Sequence, residues 1–332
     1  MARPPIRIGI LGAGAMGAVH AAAYATMADV EVVGVYSRSA ARAGATAAIC
    51  RAEPVLEAAR LIEDPTIDAV DVCVPTSLHA NHVMAALDRG KHVFCETPFA
   101  ASADEARQML GAARRARCLL QVGLLMRSAV EYEYVKALTQ SGRYGCLLSL
   151  STWRLGSYLR RTGVDHKPHY GDPSTELLTF DFDFIRWVMG MPHRLSAAAV
   201  QGEGRSPGEI SAVLAFADGR QATAIASGLM PTGSPFTVGF RALFDDAVLR
   251  LVTVFEDGPP TVTFTLSDHQ GHDQPVGLAP RNPYATELRR FVDCVRGEAD
   301  PGLLDAERAV EALTLSLATQ RSLTEGCTVA IG

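Results

Sequence analysis

Three glycines near the amino end have the spacing of a nucleotide-binding turn. Gly12, Gly14 and Gly17 follow the apolar segment IRIGIL (6–11) in the pattern GxGxxG, and they precede an alanine-rich segment with helical spacing. In such a turn the first glycine permits a tight bend, the second lets the backbone approach a pyrophosphate, and the third allows close packing of helix and strand. The helix amino terminus also attracts phosphate charge. We therefore predict that a dinucleotide binds at Gly12, Gly14, Ala15, Met16 and Gly17.

The residues about 20 positions further on indicate which dinucleotide this would be. Proteins that bind NAD usually place a carboxylate there, against the ribose 2′-hydroxyl. This chain has YSRSAAR (36–42), so Ser37, Arg38 and Arg42 would meet a 2′-phosphate with a hydroxyl and two cations. This favours NADP(H) over NAD(H). The alternative is that these arginines are only a solvated surface at the end of a strand.

Two further segments follow predicted strands at the edge where parallel sheets bind ligands. VPTSLHANH (74–82) places Pro75, Thr76 and His79 on the expected nicotinamide side, although His79 has a second interpretation as a cap of its helix. HVFCETPFA (92–100) places Glu96 and Thr97 at the end of the next strand. We predict that these residues border the cofactor.

The elements that must position these residues alternate along the first third of the chain. Short β-branched strands are predicted at 6–11, 30–36, 69–75, 91–96 and 118–124, with amphipathic helices between them. After about residue 126 the pattern changes to one of strands separated by Gly, Pro and Asp turns. The sequence therefore predicts an α/β protein: an N-terminal Rossmann domain with a doubly wound parallel sheet (1–125) and a C-terminal α+β domain (126–332). The second domain is expected to contain an open, mostly antiparallel sheet and to bind the substrate and a second copy of the chain.

Composition excludes several classes of protein. The 332 residues are 48% hydrophobic and 20% charged, and no apolar run approaches the roughly 20 residues of a membrane helix. A net charge of −5 without basic clusters argues against nucleic acid as a partner. The start of the chain has no separate apolar signal region, so we predict a cytoplasmic location. The seven cysteines form no CxxC pair, and His166 and His169 share one loop with Asp165, so no metal site is predicted.

Several segments together resemble the glucose-fructose oxidoreductase / inositol dehydrogenase (Gfo/Idh/MocA) family. They are GILGAGAMG, VDVCVPTSLHANHVMAALDRGKHVFCETPFA, FDFDFIRWVMG and the ending that starts at NPYATELRRFVDCVRG. The resemblance implies an N-terminal Rossmann domain and a C-terminal domain whose open sheet often forms oligomer contacts, here a dimer or tetramer. It also implies hydride transfer to or from sugars, inositols or related small molecules.

The same resemblance reveals two departures from the family pattern. The family's Glu-Lys-Pro is Glu96-Thr97-Pro98 here, and its Asp-x-Gly-x-His-x-x-Asp aligns with Glu176, Leu178, Phe180 and Asp183. The usual lysine and histidine are therefore both replaced. Hydride transfer at an alcohol or ketone needs a proton exchanged at the oxygen, a contribution of about 10²–10⁴-fold in rate. Neither threonine nor phenylalanine is suited to supply it.

Three interpretations of these departures stay open. Other groups could exchange the proton, with candidates in the loop SYLRRTGVDHKPHY: Tyr158, His166, Lys167, His169 and Tyr170. Alternatively, the substrate is an imine or an enone of secondary metabolism, which needs less proton help. Finally, the protein could bind NADP(H) without turnover as a sensor, or catalyse a non-redox reaction on the same scaffold. Glu176 and Asp183, seven residues apart, are expected to share one helix face, and with Glu96 and Thr97 they complete the catalytic candidates.

Overall fold

A computed structural model describes residues 3–157, 172–202, 207–256, 258–269, 271 and 273–331. The chain forms two compact units, the first of residues 1–128 and 281–310 and the second of residues 129–280 and 311–332. We had expected the first domain to end at residue 125 and the second to continue to the end of the chain. The structure instead places 281–310 in the first unit, because the helix in this segment buries Leu288 and Phe291 completely.

The sheet of the first unit contains six strands, all parallel, in the order β3-β2-β1-β4-β5-β6. This confirms the predicted doubly wound sheet. The strands are β1 (Ile6–Leu11), β2 (Val30–Tyr36), β3 (Glu53–Val55), β4 (Ala69–Val72), β5 (His92–Cys95) and β6 (Leu120–Val122). The strand order reverses at β1, which pairs with β2 on one side and β4 on the other, and ligands bind at such a switch point in this class of sheet.

Helices connect these strands where apolar residues recur at helical spacing. They are α1 (Ala15–Tyr24), α2 (Ala40–Cys50), α3 (Ala58–Glu63), α4 (His79–Asp88) and α5 (Ala103–Ala116), followed by α9 (Pro283–Val295) from the later segment. Serine hydroxyls cap two helix starts, with Ser39 accepting from the Arg42 N–H and Ser102 from the Glu105 N–H. Gly90 has φ +72° after the end of α4, the left-handed conformation in which glycine often follows a helix.

The second unit is built on a nine-stranded sheet in the order β14-β13-β12-β11-β7-β10-β9-β8-β15. All neighbouring pairs are antiparallel except β7 with β10, which confirms the mostly antiparallel sheet. The strands are β7 (Leu147–Leu155), β8 (Arg194–Gln201), β9 (Pro207–Ala215), β10 (Gln221–Ser227), β11 (Phe236–Phe244), β12 (Ala247–Phe255), β13 (Thr261–Asp268), β14 (Asp273–Pro275) and β15 (Val329–Ala330).

Helices cover this sheet with an aromatic core. The helices are α6 (Val130–Ser141), α7 (Pro173–Glu176), α8 (Leu178–Met189) and α10 (Ala306–Glu325), of which α10 begins in the first unit. Tyr132, Phe184 and Phe240 form edge-on or tilted ring contacts with centroids 4.6–5.3 Å apart. Strand residues Val200, Val213 and Val262 remain 44–56% exposed. None of the described helices is long and apolar enough to cross a bilayer.

Candidate functional site

The turn after β1 can be made only by glycine at two of its three positions. Gly12 has φ +126°, and a Cβ atom there would lie 2.4 Å from the Cys73 carbonyl oxygen. At Gly17, on the first turn of α1, a Cβ atom would lie 1.9 Å from the Gly12 carbonyl oxygen. Because neither position carries a side chain, the start of α1 can lie close to β1 and to the end of β4, as close helix–strand packing requires.

Gly14 serves a different purpose. It precedes α1 with φ −84°, a conformation that any residue adopts, and no described heavy atom lies within 4 Å of the place that a Cβ would take. The N–H groups of the first helical turn, which includes Ala15 and Met16, have no carbonyl partner within an α-helix. The cap residue, Gly14, has no side chain that could accept a hydrogen bond from them. The arrangement leaves exposed donors and open space, and an anionic group such as a pyrophosphate fits there.

The end of β2 presents the predicted cations. Ser37 follows the strand and its Oγ accepts a hydrogen bond from the Ser39 N–H at 3.2 Å. Arg38 and Arg42 are both exposed, and no ion pair joins either guanidinium to another of the described residues. Two cations without such a partner therefore stand at the strand end where a ribose 2′ substituent is expected.

The segment after β4 leads through a short 3-10 turn, Thr76–Leu78, into α4, and Pro75 precedes that turn. His79 is buried, and its ring contacts the loop after β4 and the end of β5 instead of capping the helix start. Its Nε2 donates to the Val74 carbonyl at 2.7 Å, while Nδ1 lies 3.4 Å from the Cys95 Sγ, which can donate to it. Burial lowers the pKa of His79, in agreement with a neutral ring. The expected contact of His79 with the nicotinamide stays a prediction.

Glu96 and Thr97 follow β5 at the same edge of the sheet. The Thr97–Pro98 peptide bond is cis, and the Thr97 N–H donates to the Glu96 Oε2 at 2.9 Å. The Glu96 carboxylate points into the unit, where a Cβ atom at Gly123 would lie 3.3 Å from both of its oxygens. The Thr97 hydroxyl is buried and has no hydrogen-bond partner among the described residues. This turn thus keeps its acid inward, with the neutral hydroxyl of Thr97 next to it.

Sequence reasoning missed a buried polar cluster behind this turn. His20 of α1 lies between two carboxylates, with Nδ1 2.8 Å from the Asp71 Oδ2 and Nε2 2.9 Å from the Glu96 Oε1. Glu287 of α9 is the fourth member. A histidine at a buried position of an alanine-rich helix was the visible clue to this cluster. Its carboxylate partners are 51 and 76 residues away, with Glu287 further still, and sequence spacing did not connect them.

In the second unit, Glu176 and Asp183 are not on one continuous helix. Glu176 ends α7 and Asp183 lies within α8, with Leu177 between the two helices. The expectation that both lie on one helix was therefore wrong, because Leu177, with φ −115°, departs from helical geometry between the two. Asp183 is buried, whereas Glu176 is half-buried.

A second missed feature lies beside Phe180. Arg154 of β7 donates from Nε to the Asp181 Oδ2 at 2.8 Å, and its guanidinium lies 4.7 Å from the centre of the Phe180 ring. Both members of the ion pair are buried, and the Arg154 Nη2 has no hydrogen-bond partner among the described residues. Burial raises the pKa of Asp181, against the opposing effect of Arg154. A guanidinium thus lies against the face of the Phe180 ring.

Tyr158, His166 and Lys167, together with the neighbouring His169 and Tyr170, lie outside the described residues.

Comparisons with known proteins agree with the fold. Residues 6–124 match the GFO_IDH_MocA family model, described as an oxidoreductase family with an NAD-binding Rossmann fold. A dTDP-3,4-didehydro-2,6-dideoxy-alpha-D-glucose 3-reductase from Saccharopolyspora spinosa is 38% identical over 43% of this chain and 43% of its own length. A 1,5-anhydro-D-fructose reductase from Ensifer adhaerens is 28% identical over 89% of this chain and 90% of its own.

Coverage differs among these relatives. The chain spans about half the length of the first curated relatives it matches, 53% of an oxidoreductase from Bacillus subtilis and 43% of the Saccharopolyspora protein. Among solved structures, a UDP-N-acetylglucosamine 3-dehydrogenase from Acidithiobacillus ferrooxidans is similar with a TM-score of 0.82. It is 22% identical and covers 97% of this chain and 99% of its own, which is evidence for the shared fold. Residues 6–124 are therefore similar to the NAD-binding Rossmann fold of the Gfo/Idh/MocA oxidoreductase family.

Proposed function

We propose that the protein is an NADP(H)-dependent oxidoreductase that transfers hydride to or from a small, sugar-like ketone or alcohol. The observation that supports this most is the open start of α1 at Gly14, after β1. The neighbouring strand, β2, is followed by two exposed arginines that form no ion pair with any described acid. The glycine turn fits a pyrophosphate, and Arg38 and Arg42 fit the additional phosphate of NADP(H). The names of two relatives, both reductases of sugar derivatives, support the substrate class.

The described residues divide the work of binding as follows. Gly12 and Gly17 hold the turn in shape, and Gly14, Ala15 and Met16 supply backbone N–H groups for the pyrophosphate. Ser37, Arg38 and Arg42 bind the 2′-phosphate, while Pro75, Thr76, His79, Glu96 and Thr97 border the nicotinamide. The cofactor, when bound, supplies or accepts the hydride at its nicotinamide ring.

Proton exchange at the substrate oxygen is the step with unusual residues. Neither Thr97 nor Phe180 carries a titratable group near neutral pH. We propose that the proton is exchanged by a residue of the segment with Tyr158, His166 and Lys167, and that Glu176 and Asp183 orient the substrate or that residue. An imine or enone substrate would need this help less, because an iminium is already charged and a conjugated system spreads the incoming charge.

The cofactor assignment has a direct test in Arg38→Ala. Loss of a charge-assisted contact to the 2′-phosphate is expected to raise the Kd for NADPH about tenfold, while the Kd for NADH changes less than about twofold. Titration of NADPH fluorescence measures both constants. Arg115→Ala, which removes another exposed arginine, from α5, is the matched control and should change neither. Equal weakening of NADPH and NADH binding by Arg38→Ala would contradict the assignment.

The two replaced residues favour a second candidate, a protein that binds NADP(H) without turnover. The two functions differ in one measurement, the loss of NADPH absorbance in the presence of sugar ketones, imines and enones. We expect at least one of these compounds to be reduced at a rate proportional to protein concentration. If NADPH binds tightly and none of the panel is reduced, the binding protein becomes the better account.

The proposed partners are a small-molecule substrate and further copies of this chain. Exposed apolar side chains on the large sheet, such as Val200, Val213 and Val262, support a homo-oligomer, either a dimer or a tetramer. The absence of nucleic acid as a partner and the cytoplasmic location stay predictions.

A further inference from the structure

Four titratable side chains from four different elements meet inside the first unit. His20 comes from α1, Asp71 from β4, Glu96 from the end of β5, and Glu287 from α9. The first two and Glu287 are 0% exposed, and Glu96 is 9% exposed. Three carboxyl groups and one imidazole therefore lie together almost completely shielded from bulk solvent. Such a grouping is costly unless its charges are balanced.

His20 balances part of this charge. Its Nδ1 forms a hydrogen bond with Asp71 at 2.8 Å, whereas its Nε2 lies 2.9 Å from Glu96 as an ion-pair contact without hydrogen-bond alignment. Burial alone lowers the pKa of His20, but Asp71 and the Cys73 thiol raise it, and the net effect is a pKa well above the usual value. A positively charged His20 offsets one of the three possible negative charges. Its ring lies between Asp71 of β4 and Glu96 at the end of β5.

Glu287 has no such partner among the described residues. Both of its carboxyl oxygens are buried without a hydrogen bond to any of them. One of these oxygens lies within 4.8 Å of both a His20 nitrogen and a Glu96 oxygen, so the group faces the cluster. Burial first, and then repulsion from Glu96 and Asp71, raise the pKa of Glu287 well above its usual range, while His20 lowers it. A neutral, protonated carboxyl avoids placing another negative charge in this buried space.

A metal ion is the other way to balance the charge, and the geometry argues against it. His20 Nε2 and Glu96 Oε1 are 2.9 Å apart. Two ligands about 2.0–2.1 Å from a tetrahedral zinc ion lie about 3.3–3.4 Å from each other. The present contact is shorter than that, and His20 and Glu96 are already in direct contact. The space between them therefore fits a proton better than a cation.

Other described groups around Glu287 do not offer it a counter-charge. Tyr24 of α1 is neutral, because burial and the charge of Asp71 raise the pKa of its phenol. Burial likewise raises the pKa values of the Cys73 and Cys95 thiols, which stay protonated. Arg127, in the 3-10 turn packed against α9, donates Nη1 to the Leu303 carbonyl at 3.0 Å. Within the part of the chain that the structure describes, His20 is the cation that lowers the pKa of Glu287.

We propose that Glu287 is a positioning residue that carries a proton inside the first unit and, as a neutral acid, lets the Glu96 carboxylate stay paired with His20. Glu96 in turn holds the Thr97 N–H at 2.9 Å, so the proton on Glu287 acts on the turn that borders the cofactor. The link to the cofactor rests on the proposed function, whereas the buried proton does not. When Glu287 loses its proton to solvent, the third negative charge repels Glu96, and the turn is expected to loosen.

The proton has a definite effect on stability as pH changes. The pKa of Glu287 is higher in the folded state than in the unfolded state, where it is about 4.3. Protonation of Glu287 therefore adds its full contribution to the free energy of unfolding below about pH 4.3. This contribution decreases as pH rises toward the folded-state pKa. His20 acts in the same direction above about pH 6.5, because its folded-state pKa is also raised. The stability of the first unit is therefore expected to decline from weakly acidic to alkaline pH.

Glu287→Gln tests the proposal, because an amide mimics the neutral acid in size and cannot ionise. Between about pH 5 and the folded-state pKa, the unfolding equilibrium constants of the wild type and the variant should diverge by up to about tenfold per pH unit, with the variant the more stable at alkaline pH. Urea unfolding of the full chain, followed by far-UV circular dichroism at several pH values, measures this. Glu57→Gln, the same change at an exposed carboxyl, should leave the pH dependence unchanged.

A second measurement does not depend on any variant being stable. The infrared spectrum of the wild type at about pH 7 should contain the C=O stretch of a protonated carboxyl, which disappears in Glu287→Gln and persists in Glu57→Gln. In NADPH titrations, wild-type affinity should fall at alkaline pH more steeply than that of Glu287→Gln. The proposal is overturned if the band is absent, or if purified wild type holds one equivalent of a divalent metal that Glu287→Gln lacks. Absence of NADPH binding with the band present would contradict the proposed function and not the buried proton.

Discussion

Replacement of Gly14 by valine is expected to weaken NADP(H) binding about 100-fold or more, a loss of about 3 kcal/mol, while the protein keeps its fold. The reason lies in the empty space at this position. No described heavy atom lies within 4 Å of the point where the Cβ of a new side chain would sit, and the backbone has φ −84°, so the free protein accepts a side chain. The same side chain occupies the space through which a pyrophosphate must approach the backbone N–H groups. Fluorescence titration with NADPH measures the effect.

Gly44→Val is the matched control. Gly44 lies within α2, and a Cβ atom there would likewise have no described heavy atom within 4 Å. Valine there should change neither cofactor affinity nor, beyond a few tenths of a kcal/mol, stability. Thermal unfolding should show Gly14→Val folded, with a loss of about 1 kcal/mol at most for a poorer helix cap. Unchanged NADPH affinity in Gly14→Val would exclude this helix start as the pyrophosphate site.

Removal of Asp181 is expected to destabilise the second unit by about 3–5 kcal/mol. Asp181→Ala leaves the buried guanidinium of Arg154 without its carboxylate, and arginine cannot neutralise itself by losing a proton. The only two tryptophans of the chain, Trp153 and Trp187, lie in the second unit. Urea unfolding followed by tryptophan fluorescence therefore reports the unit in which the change is made.

The double variant Arg154→Met with Asp181→Leu separates the buried charge from the packing. Because apolar residues of similar volume often replace a buried ion pair without loss, most of the stability should return. If Asp181→Ala unfolds at the same urea concentration as the wild type, the charges of Arg154 and Asp181 are screened, and the two do not act as a buried ion pair. If the double variant is no more stable than Asp181→Ala, side-chain shape matters there more than charge.

The parallel sheet and the glycine turn were predictable because both are written in local sequence. Ile8 and Ile10 of β1 are completely buried, as expected for a strand covered on both faces, and the three glycines occupy the places that the pattern assigns them. Strand ends were less accurate. The run 69–75 was predicted as a strand, but β4 ends at Val72, because the chain turns there toward the ligand edge of the sheet.

The missed features all depend on residues far apart in the chain. His20, Glu96 and Glu287 come together only when α9 packs beside α1, and Arg154 meets Asp181 only when α8 lies on β7. No spacing rule connects such positions. The mistaken single helix through Glu176 and Asp183 had a different cause. Seven residues fit two helical turns, but the pattern could not show that a new helix starts after Leu177.

The discontinuous first unit has a consequence for synthesis of the chain. Helix α9 supplies Glu287, Leu288 and Phe291 to this unit, yet it follows residue 128 by about 150 residues. At roughly 5–20 residues per second, the ribosome needs about 8–30 s to make the intervening segment. During that time the amino-terminal sheet emerges without the helix that closes one side of its core. The nucleotide-binding half, although made first, is expected to be the later of the two to mature.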